Sequence, residues 1–133
     1  MTDAVEAVSL PIRLSVPANP GQLRLVRMAA ATVAADMGFS VQDIEDVRVA
    51  VDELAALVIA GTSESCELEL CFGDEGEALV VEGQLRHGPD DLPELDSVAA
   101  ELLSLVADHV EIHRGSAGGR AFRLRKRQGS TAE

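Results

Sequence analysis

The stretch ESCELELCFGDEGEALVVEGQL, residues 64–85, constrains the fold more than any other part of the chain. Cys66, Leu68, Leu70 and Phe72 alternate with Glu67 and Glu69, the period of two expected of a strand with one buried face. A second apolar run, residues 77–85, follows the acidic turn GDEG. A sheet built from such strands needs a covering layer, and the neighbouring segments supply helices.

VSLPIRLSV (8–16) predicts a first strand, which Pro11 places at a sheet edge because proline cannot donate to a ladder. Asn19 reads as an N-cap with Pro20 at the first helical position. Leu23, Val26, Ala30, Val33 and Met37 then recur at helical spacing until Gly38. A second helix follows at once. Ser40 and Asp43 resemble a capping box, and Val41, Ile44, Val47, Val51, Leu54 and Val58 form the predicted buried stripe. The run LAALVIA (54–60) leaves little polar face, so this half of the helix should be covered on more than one side, by the sheet and first helix or by a second copy or partner. RHGPDDLPELDS is a loop, Leu95 to Ala107 is helical, DHVEIHR is a strand, GSAGG a turn and RAFRLRKR the last strand.

The order β, α, α, β, β, α, β, β predicts an α/β two-layer sandwich, a mixed, mainly antiparallel sheet with three helices on one face. Residues 8–127 form this single domain, flanked by tails at 1–7 and 128–133, the second expected to be disordered. With three Phe and no Trp or Tyr, the core must be built from Val, Leu, Ile and Ala.

A net charge of −12 repels phosphate backbones, which argues against direct nucleic-acid binding and suits a basic protein partner. Arg114, Arg120, Arg123, Arg125, Lys126 and Arg127 gather near the end, either as an anion site or as the solvated charges of an edge strand. No apolar run approaches the roughly 20 residues that span a bilayer, and MTDAVEAVSL carries acids where a secretory signal carries Lys or Arg. Cys66 and Cys71 fall on opposite strand faces, so neither a mutual disulfide nor a shared metal is expected. The predicted setting is the reducing cytoplasm, with no membrane contact. His109 and His113 lie four apart in an alternating strand and lack the order of a helical metal motif, and His87 has no evident partner.

The element order, with VRVAVDELAALVIAG in the second helix and VADHVEIHRGSAGGRAFRLRKR at the end, resembles the anti-sigma-factor serine kinases of bacterial partner-switching systems (RsbW type) over roughly residues 8–127. That family shares a Bergerat-type nucleotide-binding fold with histidine kinases, gyrase and Hsp90, and within it the chain is most similar to divergent actinobacterial anti-sigma factors. The family's second helix carries E-x-x-x-N, in which the Glu activates a water or hydroxyl and the Asn helps hold magnesium. Both reach one ligand because positions i and i+4 share a helix face. Glu53 matches the Glu, but the Asn position is Leu57, which has no oxygen for a hard cation.

The other motifs depart as well. The family's D-x-G-x-G, whose Asp binds the adenine amino group, falls on EGQLRHGPDD, where Gly88 matches a glycine and Arg86 stands at the Asp. The G-x-G that opens the third helix falls on Ser97 and Ala99, whose β-carbons narrow backbone approach to phosphate. The Thr after the last GG is Arg120, which can still bind phosphate. Glu53 lies off the apolar stripe and reads as a solvated relic of a general base. Arg27 matches a first-helix arginine that contacts both sigma factor and anti-anti-sigma factor, and Arg24 is nearby.

The resemblance implies an anti-sigma factor that holds a sigma factor by direct contact, is released by an anti-anti-sigma (STAS-domain) protein, and has lost nucleotide and metal cofactors. The alternative is an active serine kinase that uses ATP and Mg to phosphorylate the anti-anti-sigma factor. A third reading is a scaffold repurposed for another regulator. A homodimer is compatible with each.

Overall fold

The computed structural model describes residues 10–62, 65–116 and 118–129. Strand β1 (Ile12–Pro17) is followed by a 3-10 turn, Pro20–Gln22, whose Gly21 amide donates to the Asn19 side chain at 2.8 Å. The predicted cap is therefore present, but it caps a tight turn that runs into α1 (Leu23–Asp36). Gly38, at φ +90°, ends that helix in the left-handed conformation expected of a glycine past a helix C-terminus. Helix α2 (Val41–Ile59) starts at Ser40, whose hydroxyl accepts from the Asp43 amide at 3.1 Å.

The remaining elements are β2 (Glu67–Glu75), β3 (Ala78–Arg86), α3 (Ser97–Val106), β4 (His109–Arg114) and β5 (Arg120–Arg127). The sheet order is β1-β2-β3-β5-β4, and every pairing is antiparallel, where the sequence had allowed a mixed sheet. β1 is an edge, as Pro11 predicts, and the β1 positions predicted at residues 8 and 9 lie outside the described residues. Leu68, Leu70 and Phe72 of β2, Leu79, Val81 and Leu85 of β3, and Phe122 and Leu124 of β5 bury one face of the sheet under the helices. Gly83 belongs to this face: a β-carbon there would stand 2.3 Å from Phe122 Cε2, so the missing side chain makes room for the ring.

The last strand is not the edge that its charges suggested. β5 lies between β3 and β4, and its charged residues divide between the faces. Arg123 and Arg125 point to the uncovered face and meet Glu75 at 2.7 and 3.1 Å. Arg120 and Lys126 point inward on either side of Phe122 and Leu124, each 7% exposed. Lys126 Nζ reaches Asp43 at 3.6 Å and Asp46 at 3.3 Å in the first turns of α2. Asp43 thereby takes the inward position of the first turn, one turn before Val47. Val41, predicted in the stripe, is left 84% exposed. Asp43 also accepts from the Gly129 amide at 3.3 Å, and Gln128 donates to the Met37 carbonyl at 3.0 Å. The expected tail thus begins with two residues bonded to the body, and residues 130–133 lie outside the described part. No helix among the described residues is long and apolar enough to cross a membrane.

Candidate functional site

The second half of α2 carries two of the residues singled out from the sequence. Val51, Leu54, Ala55, Val58 and Ile59 are buried, which covers this half on more than one side as LAALVIA predicts. Glu53 and Leu57, one turn apart, are both half-buried. The Glu53 carboxylate makes no hydrogen bond or ion pair with any described residue, and the Leu57 side chain presents only carbon.

Arg120 fills the end of this neighbourhood. Its Nη1 donates to the carbonyls of Val58 at 2.9 Å and Ala60 at 2.8 Å, two of the acceptors left open at a helix C-terminus. Its Nε donates to the Asp91 carbonyl at 2.9 Å, and Nη2 faces both Asp91 carboxylate oxygens at 3.3 and 3.4 Å. All three guanidinium nitrogens are therefore spent within the chain, so Arg120 is not a free phosphate ligand. It joins the end of α2 to the loop between β3 and α3.

The same loop is held at two further points. Asp90 Oδ1 accepts from the Gly119 amide at 2.7 Å, and Arg114 Nε donates to the Asp90 carbonyl at 3.2 Å. Gly119 sits at φ +88°, and a β-carbon there would lie 2.5 Å from the Leu85 carbonyl oxygen, so only glycine permits this approach. At the start of α3 the Asp96 side chain accepts from the Ala99 amide at 2.8 Å. A carboxylate of the chain itself thus occupies the helix N-terminus where a phosphate would find amide donors. Ser97 is the exposed first residue of that helix and Ala99 is half-buried. Arg86, at the place of the adenine-binding Asp, pairs instead with Glu69 at 3.0 Å on the uncovered face of the sheet.

Side chains present around α2 and the loop do not offer the ligand set of a magnesium-bound nucleotide. The amide position is aliphatic, the buried guanidinium of Arg120 is saturated, and the α3 N-terminus is capped from within. Two depressions open on the described surface, the second of them beside the Asp90–Gly119 contact. A groove of about 620 Å³ on the uncovered sheet face is lined by residues such as Ser15, Cys71 and Gln84. A smaller one of about 270 Å³ runs between His87, Asp90 and Gly118. Neither is lined by Glu53 or Leu57.

Helix α1 presents a different surface. Arg24, Leu25 and Met28 are exposed along it, and Arg24 makes no hydrogen bond or ion pair with a described residue. Arg27 is half-buried and donates to Asp52 of α2 at 2.8 Å, so its guanidinium is held at the α1–α2 seam. On β4, His109 bonds Glu111 at 2.9 Å and His113 bonds its neighbour's carbonyl at 3.1 Å, both on the uncovered face. The hydrogen bond from His109 lowers the Glu111 pKa, and the hydrogen bonds from Arg125 and then Arg123 lower that of Glu75. Cys66 and Cys71 are not joined in a disulfide, and the buried Cys66 Sγ donates to the His87 carbonyl at 3.3 Å.

Sequence reading did not single out Asp91, Asp96 or Asp52. The D-S-V-A spacing before α3 was an available N-cap signal for Asp96. Asp91 and Asp52 gave none, because their partners lie 29 and 25 residues away.

The histidine kinase-like ATPase domain pattern matches residues 16–126. A serine-protein kinase RsbW of Oceanobacillus iheyensis is 37% identical over 65 residues, 47% of this chain and 41% of that protein. Its counterpart in Bacillus thuringiensis is 31% identical over 64 residues, 47% of this chain and 40% of that protein. The match thus spans less than half the length of these relatives. In three dimensions the chain resembles the structure of the RsbU and RsbW domains of Rv1364c from Mycobacterium tuberculosis. That likeness has a TM-score of 0.70 at 17% identity and covers 90% of this chain and 32% of the other.

Proposed function

Because the chain belongs to the histidine kinase-like ATPase domain family, and its relatives are named serine-protein kinases, we propose that it keeps the family scaffold as a binding module and has given up the nucleotide. The observation that carries this reading is Arg120, which stands where the resemblance puts the Thr after the last GG and bonds the Val58, Ala60 and Asp91 acceptors instead. Leu57 and the Asp96 cap act in the same direction: one removes a magnesium ligand, the other fills an anion position.

The binding role rests on α1. Its exposed Arg24, Leu25 and Met28, together with the seam residue Arg27, combine cationic and apolar contact groups of the kind that dominate protein interfaces. The partner proposed for this surface is a sigma factor, with release by an anti-anti-sigma protein that competes for an overlapping face, in the cytoplasm. Glu53 has no activating neighbour in this scheme and performs no chemistry.

Calorimetric titration of the chain with magnesium-ATP, beside titration with the sigma factors of its host, tests the proposal. Heat from a sigma factor and none from nucleotide is expected. Micromolar nucleotide binding, with phosphate transfer to an anti-anti-sigma protein that Glu53→Ala abolishes, would establish the kinase instead.

A further inference from the structure

The most apolar helix of the molecule is also the one whose apolar side chains are least covered. On α3, Val98, Leu102 and Leu105 stand at i, i+4 and i+7 and so share one face. Val98 and Leu105 are each 76% exposed and Leu102 is half-buried, while Leu103 alone is fully buried on the opposite side. Leu92 of the preceding loop adds a fourth apolar group, 46% exposed. An amphipathic helix ordinarily turns such a stripe to the core, and α3 turns it outward.

The charge around this stripe selects what can cover it. The segment from Gly88 to Asp108 carries Asp90, Asp91, Glu94, Asp96, Glu101 and Asp108 and no Lys, Arg or His. Four of these acids are engaged locally: Asp90 with Gly119, Asp91 with Arg120, Asp96 with Ala99, and Asp108 with the Arg127 amide. The carboxylates of Glu94 and Glu101 make no hydrogen bond or ion pair with any described residue; Glu101 is bonded only through its backbone, its carbonyl accepting from Ser104. An anionic membrane or a nucleic acid is repelled by such a rim. A second copy stacked stripe to stripe sets like charges against each other, on a chain already at −12.

We propose that the Val98–Leu102–Leu105 face of α3 is a docking surface for a basic amphipathic helix of a partner protein, separate from the surface on α1. The partner contributes an apolar stripe at the same helical spacing and Lys or Arg on its flanks, opposite Glu94 and Glu101. α2 packs against both α1 and α3, so the two surfaces flank one rigid helix and a single partner with two contact elements can engage both. The α3 surface does not depend on the nucleotide pocket being inert.

The test uses the full chain labelled with ¹⁵N and a synthetic helical peptide bearing Leu at i, i+4 and i+7 with Lys on its flanks. A second peptide replaces every Lys with Glu and keeps the Leu stripe. Amide shifts concentrated on α3 are expected with the first peptide and absent with the second. Val98→Ser with Leu105→Ser should weaken binding at least tenfold, whereas Leu25→Ser with Met28→Ser on α1 leaves it unchanged. Both pairs are exposed, and circular dichroism confirms that the variants stay folded. Shifts scattered over the acidic surface, or binding indifferent to the α3 pair, would overturn the proposal. So would light scattering that shows a dimer dissolved by Leu105→Ser, because the stripe would then belong to a second copy. Loss of sigma-factor binding in an Arg27 variant, with the α3 peptide still bound, separates this surface from the one on α1.

Discussion

Lys126 on β5 and Asp43 on α2 are 83 residues apart in sequence and 3.6 Å apart in space, with their side chains only 9% and 6% exposed. With Arg120 they are the buried charged residues of the described chain, and all three act at the ends of α2. A buried ion contributes to stability only while its partner is present. Lys126→Met should therefore cost roughly 2–4 kcal/mol, because it leaves Asp43 without its counterion. Adding Asp43→Asn should recover part of that loss. Urea denaturation of the two single variants and the double variant gives the coupling directly, and strict additivity would refute it.

Arg120→Lys keeps the charge and loses the planar fork. A lysine cannot reach both α2 carbonyls and Asp91 together. The expected cost is about 1–3 kcal/mol from the hydrogen bonds left unmade. It should appear locally as well, as faster amide exchange at Gly119 and along residues 89–92, which Arg120 helps to hold.

Gly83→Ala places a methyl against the Phe122 ring. Overpacking of this kind costs about 1–3 kcal/mol in thermal or chemical unfolding. Phe122→Leu in the same chain should return some of it by vacating that space.

Two substitutions separate binding from stability. Arg27→Ala breaks a half-exposed ion pair with Asp52 and should change stability by less than about 1 kcal/mol. The same variant should reduce affinity for a sigma factor by more than about tenfold, the size of a central Arg in an interface. Glu53→Ala should leave both properties unchanged, within about 0.5 kcal/mol for stability.

Glu75 is held below its ordinary value of 4.5 by the hydrogen bond from Arg125, with Arg123 adding to it. A carboxyl whose folded value is depressed stabilises the fold above its unfolded value, and that contribution fades as pH falls through the folded one. Carbon-13 titration should place the Glu75 midpoint under 4.5, and Arg125→Ala should move it upward. Because the group is exposed, salt should shrink the shift.

Periodicity carried most of the fold. The alternation of Cys66 to Phe72 and the stripe from Val47 to Val58 are local signals with one physical cause, a single buried face, and both hold. RAFRLRKR was legible as the last strand, but not its place inside the sheet, because it looks charged on both faces. Its inward cations are neutralised by α2, a relation that no local window contains. The candidate site entered only through the family resemblance, as a set of departures from its motifs that includes Leu57 and Arg120. What Arg120 does instead depended on Asp91 and on two helix carbonyls, and carbonyls leave no trace in a sequence.

Both fastenings of α2 come from β5, the strand synthesised last among the described elements. A ribosome that has emitted residues 41–59 has made a helix whose polar ends stay unmatched until residues 120–127 follow. Nascent chains stalled before β5 should keep that helix open to proteases, and chains stalled after it should not, because only the closing strand carries the two cations that fasten its ends.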